Sequence, residues 1–148
     1  NIMPKMTKIK FPSRYTAGLS AKDRKRQLRS LKKAKRNYKT QRGIERYVAR
    51  PKLKSFKSKK SGWTQKFHKL YPEAKSMRQI ADQTGIPLKA LMAVKKKGMG
   101  AYYSSGSRPN QTAESWGKAR MYSYILGGPT RKIDHHITQE YNVKFKHR

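Results

Sequence analysis

The chain has 148 residues and carries 38 Lys+Arg against 7 Asp+Glu, a formal charge of +31. Hydrophobic residues make up 34%, below the apolar share of an ordinary globular domain even when the glycines are added, so one modest core is available and not two. Self-repulsion at this charge opposes compaction unless anions are near, which excludes a freely soluble housekeeping enzyme as the default and points to nucleic acid, anionic lipid head groups or acidic protein as the partner.

There is no cysteine, which removes disulfides, thiolate metal sites and a cysteine nucleophile together. No window approaches the roughly 18 consecutive apolar residues of a membrane span. Asn1-Ile2-Met3-Pro4-Lys5 lacks the apolar core of a signal peptide, so neither a span nor secretion is expected. Charge divides the sequence: residues 1–70 hold 24 basic and 2 acidic side chains, residues 71–148 hold 14 and 5. The expected organisation is mainly α: a long basic, partly extended N-terminal arm over 1–62 and a small helical domain over 63–148. Helical periodicity recurs along the chain and no long apolar–polar alternation is present.

In chain order, Phe11-Pro12-Ser13-Arg14-Tyr15 contains a helix-hostile proline and reads as extended. Ser20-Ala21-Lys22-Asp23 fits a capping box that starts a helix near 20–40, with Asp23 complementing the positive helix end. Leu28, Leu31, Ala34 or Lys35, and Tyr38 recur at helical spacing as a narrow apolar stripe. Around it stand Arg24, Lys25, Arg26, Arg29, Lys32, Lys33, Lys35 and Arg36, dense enough to favour polyanion contact over a merely solvated face. Arg50–Gly62, where Lys57, Lys59 and Lys60 follow Leu53 and Phe56, reads as an extended, surface-hugging strap. Trp63, Phe67 and Leu70 share one face of a short helix that Tyr71-Pro72 stops.

Ser76 to Val94 is the strongest local pattern. Ala81 is small where two helices would cross, Gly85 allows a tight turn, and Ile86, Leu91 and Val94 point back into the pair, which gives a helix-turn-helix-like hairpin over 76–97. The start of its second helix offers Pro87, Lys89, Ala90, Met92 and Ala93, poor readers of base edges because they include no Arg, Asn or Gln for bidentate contacts. A packing hairpin is therefore favoured over a DNA-reading element, with Lys89, Lys95, Lys96 and Lys97 placed to meet phosphates. From Gly98 to Thr112, glycines and small polar residues suggest a loop. It lacks the Gly-Lys-Ser/Thr of a phosphate-binding loop, and a structural turn is preferred to an anion site, with Arg108 as its candidate contact.

Thr112 caps a helix that runs to Leu126 and ends at Gly127-Gly128-Pro129. The expected core is Ile80, Ala81, Leu91, Val94, Trp116, Ala119, Tyr122, Ile125 and Leu126, and Ile133 and Ile137 should share a helical face. Asp134-His135-His136 is similar to a metallo-phosphoesterase triplet, but that chemistry needs further carboxylates, and adjacent imidazoles diverge on a helix. No paired acids for acid–base work and no serine with a nearby His–Asp pair are present in the sequence. The chain reads as a non-enzyme with no metal, no cofactor and no small-molecule substrate.

The runs Lys52–Ser61, Thr84-Gly85-Ile86-Pro87, Gly98–Thr112, Ser115-Trp116-Gly117-Lys118-Ala119-Arg120 and Gly127-Gly128 resemble an uncharacterised family of small basic proteins of large nucleocytoplasmic DNA viruses that infect algae and amoebae. The similarity covers about residues 50–137, and Gly98–Thr112 is its most specific part. The resemblance implies a setting, the virion interior against the capsid or the infected host cell, and no activity. Two functions stay open. The first is a minor capsid-associated protein bridging acidic surfaces of capsid or other virion proteins or the anionic inner membrane. The second is a sequence-nonspecific nucleic-acid-binding protein that condenses or tethers viral DNA. The candidate contacts for either are Arg24, Lys25, Arg26, Arg29, Lys32, Lys33, Arg36, Lys57, Lys59, Lys60, Lys95, Lys96, Lys97 and Arg108.

Overall fold

A computed structural model describes residues 10–57 and 60–148. Its α-helices are α1 (Ala21–Thr40), α2 (Gly62–Leu70), α3 (Met77–Thr84), α4 (Leu88–Ser104), α5 (Ala113–Leu126), α6 (Thr130–Ile133) and α7 (His135–Glu140), with two short 3-10 turns at Ser13–Tyr15 and Gly43–Arg46. The fold is mainly α, and no strand is present among the described residues. The chain forms two compact units, one of residues up to Ser58 with Tyr103–Gln111, the other of Lys59–Tyr102 with Thr112–Arg148. The basic segment is thus folded together with part of the Gly/Ser run, a pairing that a linear division at residue 62 does not contain.

In the first unit α1 begins where the capping pattern places it, with the Ser20 hydroxyl accepting from the Asp23 amide at 3.2 Å. Its buried stripe is Asp23, Gln27, Leu31 and Ala34, while Leu28 and Tyr38 are only half-buried. The inward face therefore lies to one side of the expected apolar stripe and is half polar. Against it sit Tyr15, which is buried, and Gly106, at φ +105, where an added Cβ would stand 3.0 Å from Leu31 Cδ2. Pro12 is extended as expected. Ser13–Tyr15, however, closes a 3-10 turn because the Tyr15 amide returns to the Pro12 carbonyl. The strap is surface-hugging and anchored: Leu53 is 1% exposed, and residues 54–56 turn instead of running straight.

The second unit packs around Phe67 of α2, Ile80 of α3, Leu91 and Val94 of α4, Met121, Tyr124 and Ile125 of α5, and Ile137 of α7. Ser76 and Gln79 exchange capping bonds at the start of α3, and Gly85, at φ +72, turns the chain toward α4. α4 does not stop at residue 97. It runs through Gly98 and Gly100 to Ser104, so the expected Gly98–Thr112 loop is helical over its first half. Gly98 and, on α5, Gly117 are contact residues. A Cβ on Gly98 would fall 2.7 Å from Gly117 Cα, and one on Gly117 would fall 2.7 Å from the Lys95 carbonyl oxygen. α4 and α5 meet backbone to backbone there.

That crossing corrects the expected core. The inward face of α5 is Ala113, Gly117, Met121 and Tyr124, because the small residue must lie at the closest approach. Trp116 and Ala119 then fall on the flanks, half-buried. Ala81 packs on the core from its edge, and Ile80, Leu91, Val94, Tyr122, Ile125 and Leu126 are buried as expected. Ile133 and Ile137 do not share a face: the helix breaks at Asp134, leaving Ile133 63% exposed and Ile137 buried. Leu70 is also exposed. Arg131 donates to the carbonyls of Tyr124 and Ile125, serving the otherwise open end of α5, and its guanidinium lies 3.7 Å from the Phe145 ring centre.

Candidate polyanion interface

With Asp23, Gln27, Leu31 and Ala34 turned inward, helical periodicity turns Lys25, Arg29, Lys32 and Arg36 outward at i, i+4, i+7 and i+11, and all four are exposed. Lys22, Lys33 and Lys39 widen the stripe and are exposed too. At the helical rise, Lys22 to Lys39 spans about 25 Å. The seven cations over that length stand on average about 4 Å apart along the axis, comparable to the about 3.4 Å between phosphates along one strand of a duplex. Arg24 and Arg26 stand on the flanks.

The one acid of α1 does not neutralise this face. The Asp23 carboxylate accepts from the Ser55 hydroxyl and, at 3.1 Å, from the Ser55 amide, while Arg26 reaches it from the side at 3.6 Å. The hydroxyl bond first, then the amide bond, holds the Asp23 carboxyl below the usual carboxylate range. Ser55 in turn accepts from the Ser20 amide. The strap thus consumes the anion of α1 on its inner side.

The polar groups of the Gly/Ser segment are spent in the same way, on the structural-turn side of the expected alternatives. Asn110, in the left-handed region at φ +58, pairs its side-chain amide with both the amide and the carbonyl of Leu53, at 2.8 and 2.9 Å. The Gln27 amide donates to the carbonyls of Tyr15 and Ser107. The segment is a structural brace for α1 and the strap.

The sequence candidates separate accordingly. Arg24, Lys25, Arg26, Arg29, Lys32, Lys33 and Arg36 share α1, and Lys57 and Arg108 are exposed in the same unit. Lys59 lies outside the described residues. Lys60 and Lys95–Lys97 belong to the other unit. There Lys95 is tied to Glu114 at 2.7 Å, and Lys96 and Lys97 are exposed. Sequence reasoning passed over Lys22 and Lys39, which the helical spacing already contained. It also passed over Asp23, Ser55 and Asn110 as braces, whose partners lie 32 and 57 residues apart, where no local pattern reaches.

The Asp134-His135-His136 triplet is split by burial. Asp134 receives a two-pronged bond from Arg120 at 2.8 and 2.7 Å and is 1% exposed, whereas both histidines are exposed. No helix among the described residues is long and apolar enough to cross a membrane.

Residues 12–142 match DUF5824, described as a family of unknown function. No curated protein and no solved structure matches the chain.

Proposed function

The chain belongs to DUF5824, and from the geometry of its basic helix we propose that it is a non-enzymatic, sequence-nonspecific nucleic-acid-binding protein that grips phosphates through the outward face of α1. The observation that carries this reading is the Lys25, Arg29, Lys32, Arg36 stripe, exposed along its length and opposite a face braced by the rest of its unit. A braced helix holds its charges at fixed spacing before binding, which lowers the ordering entropy a loose arm would lose. The stripe is made wholly of cations at regular spacing, with no Asn or Gln to read adenine, which suits contact to the phosphate backbone. Three of the seven carboxylates, Asp23, Glu114 and Asp134, are committed to Ser55, Lys95 and Arg120, which supports a structural role for them over a catalytic one. In the viral setting that the resemblance implies, the polyanion is the genome, held inside the virion or gathered in the infected cell.

Binding to a random-sequence DNA duplex, followed against salt, tests this. If the four stripe cations engage phosphates, the logarithmic salt slope has a magnitude of about 3.5, a loss near 100-fold between about 50 and 200 mM. Changing Lys25, Arg29, Lys32 and Arg36 together to Gln should remove most of that slope. Undiminished salt-dependent affinity in the quadruple variant would place the grip elsewhere.

The bridging reading keeps one observation of its own. At the 3-10 turn after α1, Ile44, between Arg42 and Arg46, is 84% exposed, and Tyr47, next after Arg46, is 52% exposed. Apolar tips among cations suit an anionic inner membrane or an acidic capsid surface. Binding of anionic vesicles that Ile44→Ser abolishes, with duplex binding unchanged, would support it.

A further inference from the structure

We propose that the solvent face of α4, in the second unit, is a docking groove for an acidic amphipathic helix of another protein. Along α4, Lys89, Met92, Lys96 and Met99 stand at i, i+3, i+7 and i+10, the spacing of a two-heptad seam. Met92 is 55% exposed, and Lys89 and Lys96 are exposed. The seam is one wall of a groove of about 480 Å³, whose other lining includes Met77 of α3 and Tyr141 after α7. Methionines are flexible and polarisable and adapt to the apolar side chains of a partner helix.

The rim chooses the partner's charge. Glu114 is the one carboxylate lining the groove, and Lys95, at 2.7 Å, and Lys118 already neutralise it. Among the described residues Lys89 and Lys96 have no salt-bridge partner, so they are available to carboxylates flanking an apolar stripe. A second copy of this chain is a poor occupant, since it brings 38 basic residues and only 7 acids. The face also differs in kind from α1, whose outward stripe has no apolar member, and it offers no Arg, Asn or Gln.

The test uses the full chain and a synthetic helix-forming peptide, rich in Glu and carrying leucines at i, i+3, i+7 and i+10. A control peptide of the same composition has its apolar face scrambled. With methionine methyl groups labelled for NMR, the patterned peptide should shift Met77, Met92 and Met99 and leave the buried Met121 in place. Met92→Glu should weaken binding at least tenfold, and so should Lys89→Glu with Lys96→Glu. All three positions are exposed, and unchanged helicity by circular dichroism verifies the fold of each variant. The quadruple Gln variant of α1 should bind the peptide as the parent does, which separates this site from the nucleic-acid reading. The proposal is overturned if the patterned peptide moves none of the three methyls or if the scrambled peptide binds equally well. It is also overturned if the α1 variant loses the peptide, or if a random-sequence DNA duplex moves the same three methyls as strongly.

Discussion

Asp23 sits in a helix crowded with cations, yet its carboxylate is turned toward the Ser55 hydroxyl and amide. Those bonds favour the charged form and lower its pKa below the unfolded value of about 3.9. A lowered folded pKa contributes stability that is complete above the unfolded value and is lost as the pH falls through the folded one. Acidification below about pH 4 should therefore release the strap from α1 while further protonation adds to the self-repulsion of the unit. Ser55→Ala should move the Asp23 midpoint upward in a carboxyl NMR titration, and an unmoved midpoint would show that Ser55 is not its main partner. Asn110 braces the strap beside Ser55, at Leu53 and Phe56. Asn110→Gly keeps the left-handed backbone and deletes the amide that pairs with Leu53, so the loss should be about 2 kcal/mol for two hydrogen bonds. Faster exchange of the Leu53 amide is the specific readout.

Between α4 and α5 the decisive residues are those with least to show in a sequence. Gly98→Ala would raise intrinsic helix propensity by about 1 kcal/mol, but the new methyl meets Gly117 Cα at 2.7 Å and Arg120 Cβ at 3.1 Å. A backbone atom cannot rotate away, so the clash should win, with a net loss of about 1–2 kcal/mol. Gly62→Ala, at the open first turn of α2 where nothing lies within 4 Å, should be neutral or slightly stabilising. Equal melting of both variants would remove the close crossing. The same two glycines show why the sequence was legible in some elements and not in others. Ser20, Ser76 and Thr112 announce helix starts because a cap is a local bond, three residues long. Gly98 has the composition of a turn residue and the role of a packing residue, and only the partner helix distinguishes them. Trp116 was misplaced for the same reason: periodicity marks a face, while the closest neighbour decides which face goes in. The α1 stripe was legible almost whole, since exposed charge needs no partner to be read.

Over the whole molecule the charge is uneven. The first unit holds 21 basic and 2 acidic residues and the second 17 and 5. The first has the greater self-repulsion for its size, and much of what holds it together is polar: Asp23 with Ser55, Gln27 with Tyr15 and Ser107, Asn110 with Leu53. At low ionic strength it should melt first, and a bound polyanion should stabilise it most. Both tryptophans, Trp63 and Trp116, lie in the second unit, so their fluorescence follows that unit alone, while helical circular dichroism also follows the 20 residues of α1. Heating at about 20 mM salt, where screening extends beyond 20 Å, should lower the helical signal before the tryptophan signal. Adding inorganic polyphosphate at about 100 times its dissociation constant stabilises the bound form by about 2.7 kcal/mol. For a unit of this size that raises the first transition by about 10 °C or more, bringing it toward the second. Coincident transitions at low salt, or an equal shift of both signals by polyphosphate, would mean that the charge of the first unit neither weakens it nor marks it as the anion-binding half.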